Sequence, residues 1–502
     1  MLFNSYEFLF LFLPVTLVGF FAFGRRSHAA AMAWLVIASL FFYGWWYPPY
    51  LLVLVGSVGL NYSAGMLLAR TTAARRRRRI LALAVTGDLV LLGYFKYAAF
   101  LVGSAATVFD IDWSLPAIAL PLGISFFTLT QIAFLVDTAR GEARDYKFLH
   151  YLLFVSYFPH LIAGPILHHK ELMPQLDRAD IVHFSARRLS LGLSIFAVGL
   201  FKKTVIADSL APYVGQVFDA AGHGVAPGAA EAWGAALAYT LQLYFDFSGY
   251  SDMAIGLARV IGVQLPLNFH SPYKATSIIE FWRRWHMTLA RFLRDYVYIP
   301  LGGNRHGPSR RYLNLMLTML IGGLWHGAGW NFVLWGGLHG LYLAANHAWR
   351  TLAGVRVGAS SIVYSALAGF LTFICVVVAW VPFRAGNFAA TETLLASMVG
   401  WHGWLPGHIG VVALFGESAP RWTGAWRWIA VLLPAVWLLP NTQEFFSRYG
   451  TLPLRRHADA PLVPILGFRW RLSSFWAYAS AVIAVVAVLY CSRASEFIYF
   501  QF

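Results

Sequence analysis

A histidine lies in the middle of a long apolar stretch of this chain. The segment Leu320–Trp330 places four glycines around His326 and a tryptophan, Trp325, directly before it. Ionisable residues inside apolar spans are rare and often functional. A neutral histidine can accept a proton near pH 7, and glycine leaves room for an extended ligand chain. We predict that His326 is a general base in a narrow tunnel and that Trp325 lines its donor-binding wall. The alternative is glycine-mediated helix packing around a hydrogen-bonded histidine.

A second histidine, His286, lies in a stretch that is rich in both arginine and aromatic residues. Helical periodicity predicts one continuous helix over Ser277–Val297, with this histidine as the ionisable member of its apolar face. Arginine suits phosphate because its planar guanidinium donates paired hydrogen bonds. We predict that three basic residues of another face bind a phosphate-bearing donor, namely Arg284, Arg291 and Arg294. The alternative is an interfacial helix with a solvated basic face and a core histidine.

The spacing of the two histidines relates their depths in the membrane. His286 lies about 16 Å from the end of its predicted helix, and His326 lies about 21 Å into the next predicted helix. The polar loop Pro300–Arg311 joins the two helices, and its arginines indicate the cytoplasmic side. We therefore expect both rings at a similar depth, reached from the same side of the membrane.

Two carboxylates, Asp246 and Asp252, lie inside another apolar stretch. We expect them to pair with arginines and hold a cavity together, and the alternative is a proton relay. The two cysteines, Cys375 and Cys491, lie in or at the end of apolar runs and predict neither a disulfide nor a metal site. We expect no metal and no bound cofactor.

Composition indicates a polytopic membrane protein. Of 502 residues, 59% are hydrophobic and only 12% are charged, with a formal net charge of +16. That is too little charge to cover the surface of a soluble domain, which carries about 25% charged residues. The apolar runs predict an all-α protein with about 11 transmembrane helices. Proline and glycine breaks in Tyr151–Gln175, and the arginines of Lys274–Arg311, predict re-entrant or interfacial helices around a central tunnel. We expect a single membrane-embedded domain over 1–502.

Loop charges predict the orientation of the chain. Arg25, Arg26 and the run Arg75–Arg79 follow the first and third apolar runs, whereas Asp110 and Asp112 follow the fourth. Cytoplasmic loops are enriched in Lys and Arg, so the amino terminus is predicted to be outside and the arginine run inside. The run therefore indicates a topology anchor, and we expect contact with membrane lipid and no nucleic-acid partner.

Several motifs in this order resemble the membrane-bound O-acyltransferase family, and the likeness is greatest to its bacterial branch that acetylates exported polysaccharides. The matching stretches run through most of the chain: Gly93–Tyr97, Leu120–Phe127, Leu161–Ile166, Tyr244–Asp252, Phe281–His286, Tyr298–Arg305, Gly323–Gly327, Trp380–Ala385 and Phe497–Phe502.

The resemblance implies an O-acyltransferase in which His326, of the tryptophan-histidine-glycine motif, is catalytic and His286 is its upstream partner. It implies acetyl-CoA as the donor and an exported polysaccharide, such as alginate, as the final acceptor. The chain shows no large external domain, so we expect a periplasmic acetyltransferase or acceptor protein as partner and a bacterial inner-membrane location. Two other classes stay open: a transporter or flippase, and a structural subunit of an exopolysaccharide machine. Consumption of the thioester by the purified protein separates the first class from both.

Overall fold

The computed structural model describes residues 1–116, 118–143, 146–352, 361–404, 423–449, 469–493 and 498. Over these residues, all of the regular secondary structure is helical, as predicted. The closing motif of the resemblance, 497–502, lies outside the described residues except for Ile498. The chain divides into two compact units. The single-domain prediction stays a prediction.

The first unit holds Met1–Leu200, Tyr250–Pro266 and Ala477–Cys491. The helices of its first segment, Met1–Leu200, are α1 Leu13–Gly24, α2 His28–Gly44, α3 Tyr50–Arg70, α4 Ala74–Leu92, α5 Ala98–Phe109, α6 Ile124–Arg140, α7 Phe148–Ser156, α8 Phe158–Leu161, α9 His169–Leu176 and α10 Ala186–Phe201, whose last residue already belongs to the second unit. The short helices α7 to α9 are interrupted and largely buried, so the predicted breaks within Tyr151–Gln175 are present.

The second unit holds Phe201–Gly249, Leu267–Trp476 and Ser492–Phe502. The remaining helices are α11 Asp208–Gly222, α12 Ala229–Ile261, α13 Ile278–Arg284, α14 Met287–Leu293, α15 Gly307–His326, α16 Trp330–Leu352, α17 Ile362–Arg384, α18 Phe388–Met398, α19 Thr423–Leu438, α20 Thr442–Phe446 and α21 Ser474–Tyr490. The last part of α12 and most of α21 belong to the first unit.

Four described stretches are long and apolar enough to cross a membrane: Tyr50–Arg70, Ala74–Phe109, Ala186–Gly222 and Ile362–Arg384. A bent pair, Gly424–Leu438 with Thr442–Tyr449, passes the same test if it is counted as one span. The chain is therefore a multi-pass membrane protein, but the predicted count of about 11 spans is not confirmed. Some of the other apolar runs form shorter helices, such as α2 with 17 residues.

The predicted continuous helix over Ser277–Val297 is wrong. The segment forms α13, an extended Trp285, a left-handed His286, α14 and a π-helical turn over Arg294–Tyr298. The break arises from tertiary contacts: the backbone N–H of Met287 donates to the carbonyl oxygen of Asn268 at 2.9 Å. The depth calculated for His286 along a straight helix therefore does not apply.

Glycines bring α15 and α16 into backbone contact as an antiparallel hairpin. A Cβ at Gly323 would lie 2.2 Å from the carbonyl oxygen of Phe332, and a Cβ at Gly336 would lie 2.4 Å from that of Met319. No side chain fits at either distance, so only glycine permits this approach. The predicted role of glycine in close packing is therefore present, and the hairpin carries His326 on its first arm.

Candidate active site

His326 is the last residue of α15, and the chain leaves the helix through Gly327 in an extended conformation. A Cβ at Gly327 would lie 2.0 Å from Cε2 of Phe332, so this glycine lets an aromatic ring cover the helix end. His326 is only 4% exposed. The sequence-predicted base is thus buried at the turn of the hairpin.

A cage of rings surrounds the imidazole of His326. Ring centroids lie 4.9 Å away at Trp325, 5.0 Å at Trp335, 5.2 Å at Phe383 and 6.2 Å at His286. The two predicted histidines therefore lie together in the second unit. Four aromatic neighbours exclude water from this position, and electrostatic and hydrogen-bonding interactions are stronger where water is excluded.

His286 has a left-handed backbone with φ 41°, which is uncommon for a residue with a side chain. Its side chain is fully buried. Nδ1 of His286 lies 3.0 Å from Oδ1 of Asn268, and the hydroxyl of Thr288 donates to the same oxygen at 2.9 Å. The hydrogen bonds that Asn268 accepts therefore hold both the ring of His286 and the backbone at the helix break.

These contacts assign the proton on the ring of His286. The amide oxygen of Asn268 only accepts, so Nδ1 of His286 must donate to it. The assignment of that atom as oxygen is supported by the donating hydroxyl of Thr288. A neutral His286 thus carries its proton on Nδ1 and a lone pair on Nε2, which can accept a proton or a hydrogen bond.

The three arginines predicted to bind the donor lie in different settings. Arg284 is 6% exposed, and its guanidinium donates to Oε1 of Glu280 at 2.7 and 3.0 Å. Arg291 is half-buried on α14, and Arg294 is exposed and pairs with Asp295 at 2.7 Å. Because the helix breaks at His286, the three do not form one continuous stripe along a helix. Their role in donor binding stays a prediction.

A buried ion-pair cluster in the same unit was missed at the sequence level. Nζ of Lys203 lies 2.7 Å from a carboxylate oxygen of Asp208 and 2.7 Å from one of Asp246. The backbone N–H of Ile498 donates to the other oxygen of Asp246 at 3.2 Å. The predicted partner of Asp246 was an arginine, and it is a lysine instead. A lysine inside an apolar run was the available signal.

A further buried histidine, His339, lies one helical turn beyond Trp335 on α16. Its ring centroid is 4.9 Å from that of Trp335, and Nε1 of Trp282 donates to its Nδ1 at 3.3 Å. Sequence reasoning did not select it, although it is an ionisable residue in the same apolar stretch as His326. The rings around His326 therefore extend from Trp335 to His339 along α16, and Trp282 contacts His339 from α13.

Comparisons with known proteins identify the family of this chain. The membrane-bound O-acyltransferase family profile matches residues 16–355. A peptidoglycan O-acetyltransferase of Helicobacter pylori is 42% identical over 80% of each chain. A probable alginate O-acetylase, AlgI, of Pseudomonas putida is 36% identical over the full length of both chains. A teichoic acid D-alanyltransferase of Streptococcus thermophilus is 27% identical over 52% of this chain and 68% of its own.

The family match extends over more than half of the chain and includes both His286 and His326. The full-length relative extends the likeness through the rest of the sequence. The resemblance seen in the ordered motifs is thus confirmed, and the chain belongs to the membrane-bound O-acyltransferase family.

Proposed function

We propose that this chain is a membrane O-acetyltransferase that takes acetyl groups from acetyl-CoA on the cytoplasmic side and supplies them to an exported polysaccharide. The observation that carries the proposal is the buried pair His286 and His326, with rings 6.2 Å apart inside an aromatic cage. Relatives named as peptidoglycan and alginate O-acetylating proteins support acetyl as the group and a glycan as the final acceptor.

The proposed chemistry begins at His326. Its imidazole removes the proton of an acceptor hydroxyl as the hydroxyl oxygen attacks the carbonyl carbon of the thioester. A C–O bond forms, the C–S bond breaks, and the leaving thiolate receives the proton from the imidazolium. His286, with its lone pair on Nε2, hydrogen-bonds the acceptor hydroxyl or the thiol and so positions it.

The basic residues near the break in α13–α14 are proposed to attract the phosphates of CoA. Arg291 and Arg294 suit this role better than Arg284, because Arg291 is half-buried and Arg294 is exposed, whereas Arg284 is buried against Glu280. Arginine in a partly solvated setting attracts phosphate at long range, and salt weakens the attraction.

The location and the partner follow from the same scheme. We propose the bacterial inner membrane, with the amino terminus in the periplasm, and a periplasmic acetyltransferase or acceptor protein that completes the transfer. Alginate and peptidoglycan are the two acceptor classes that the relatives' names suggest, and the choice between them is left to the experiment.

The experiment supplies isotope-labelled acetyl-CoA to inverted inner-membrane vesicles that carry the full chain, loaded with periplasmic extract and either alginate or peptidoglycan fragments. Mass spectrometry then identifies what becomes acetylated. We expect labelled O-acetyl esters with the intact chain and none with vesicles that lack it. Movement of glycan across the vesicle membrane without label transfer would contradict the proposal and favour a transporter or flippase.

A further inference from the structure

Two buried N–H groups behind His326 have no hydrogen-bond partner among the residues that the structure describes: Nε1 of Trp335 and Nε2 of His339. Both side chains are 0% exposed. A buried donor without an acceptor destabilises the folded protein, because it has lost its hydrogen bonds to water. If packing were their only role, phenylalanine or leucine would fill these positions at a lower cost. The two donors therefore suggest a ligand that supplies the acceptors.

The tautomer of His339 is fixed by its neighbour. The indole N–H of Trp282 can only donate, and it donates to Nδ1 of His339 at 3.3 Å. Nδ1 therefore holds a lone pair, and the single ring proton is on Nε2. His339 is thus a neutral donor, the opposite arrangement from His286, whose proton is on Nδ1.

The two donors lie one helical turn apart on one face of α16, and Trp335 is the one next to His326. The ring of Trp335 is 5.0 Å from that of His326 and 4.9 Å from that of His339. The close packing of α16 on α15 at Gly336 fixes this arrangement. An acyl group bound at His326 would lie within reach of the indole of Trp335. The rest of the donor can follow α16 toward His339.

Resting on the proposed function, we propose that Trp335 and His339 are hydrogen-bond donors to the acyl thioester. Trp335 donates to the reacting carbonyl oxygen, which gains negative charge as the hydroxyl oxygen bonds to the carbonyl carbon. This donation transfers no proton, since the hydroxyl proton goes to His326. His339 donates to a carbonyl oxygen of the donor beyond the sulfur, where the pantetheine arm of CoA carries amide groups.

The test measures release of free CoA thiol from acetyl-CoA by the full chain in lipid nanodiscs, with the glycan and a periplasmic extract present as the source of acceptors. Removal of a donor to the developing charge should lower kcat, so Trp335→Phe is expected to lose about 10²-fold in kcat with little change in KM. Removal of a ground-state contact should raise KM, so His339→Leu is expected to raise KM about tenfold.

Two further variants separate hydrogen bonding from packing. His339→Gln should recover most of the affinity, because its amide can accept from Trp282 and donate to the ligand. Trp437→Phe is the matched control, since its N–H donates to the carbonyl oxygen of Tyr273 at 3.1 Å. This control should lower thermal stability and leave kcat unchanged.

Each outcome decides between the two claims. Near-normal kcat in Trp335→Phe, or equal KM in His339→Leu and His339→Gln, would overturn the donor roles while transfer by the unsubstituted chain still supports the proposed function. No CoA release by the unsubstituted chain would overturn both. If Trp335→Phe does not fold, the two His339 variants decide the question by themselves.

Discussion

The ring centroids of His286 and His326 lie 6.2 Å apart, but different features of the fold hold the two side chains in place. A polar network fixes His286: a left-handed backbone and a hydrogen bond to Asn268. Packing fixes His326: a regular helix end, backbone contact through glycines and a cage of rings. A polar contact thus sets the tautomer and orientation of His286, whereas shape complementarity sets the position of His326.

The largest effect is expected at His326 itself. His326→Ala should lower the rate of acetyl transfer by about 10²- to 10⁴-fold, because the proposed base is lost. Helical structure and membrane insertion should be retained, since the adjoining hairpin contacts involve glycines and Phe332. Thiol release and circular dichroism on the same purified sample check this. If His326→Ala kept the acetyl-transfer rate of the unsubstituted chain, the proposed difference in role between His326 and His286 would be wrong.

The second test breaks the packing that holds His326. Gly336→Ala places a methyl group 2.4 Å from the carbonyl oxygen of Met319, so it should destabilise the protein by about 1–3 kcal/mol or more. Gly337→Ala is the matched control, because its nearest neighbour is a side-chain methyl group 3.8 Å away. Alanine is a better helix former than glycine by about 1 kcal/mol, so this variant should be as stable or more stable. Equal melting temperatures would contradict the glycine-packed hairpin.

The third test separates the backbone of His286 from its side chain. His286→Ala and His286→Gly should both slow transfer by about 10- to 100-fold, through loss of positioning. The glycine variant should be more stable by about 1–2 kcal/mol, because only alanine pays the left-handed backbone cost. Thermal unfolding and initial rates measure the two effects. Equal stability of the two variants would mean that the helix break does not need the left-handed residue.

The smallest effect is expected at the exposed arginine. Arg294→Gln should weaken acetyl-CoA binding by a few-fold at low salt, about the strength of a surface charge interaction. The difference from the unsubstituted chain should disappear at high salt. Isothermal titration at two salt concentrations checks this. A loss of affinity that persists at high salt would indicate a direct, desolvated contact instead.

Part of this site was predictable from the sequence because it rests on rare residue types. The burial of His326 beside close-packed glycines could be predicted because a histidine among glycines in an apolar stretch is unusual. The aromatic and glycine-rich surroundings were visible for the same reason. A similar depth for the two histidines was also expected, although it was argued from two straight helices.

The rest depended on contacts between residues distant in the chain. The break at His286 is imposed by Asn268, which lies outside the predicted helix, so helical periodicity alone could not show it. The pairing of Lys203 with Asp246 joins two separate helical segments for the same reason. The donor role of His339 became visible only when Trp282 assigned its tautomer.

The most direct test of the central claim is single-turnover acetyl transfer by His326→Gln, with acetyl-CoA binding measured on the same preparation. Glutamine keeps a similar size and hydrogen-bonding capacity but cannot act as a base near pH 7. We predict normal acetyl-CoA affinity and a transfer rate lowered by about 10²- to 10⁴-fold. A near-normal transfer rate would contradict a general-base role for His326.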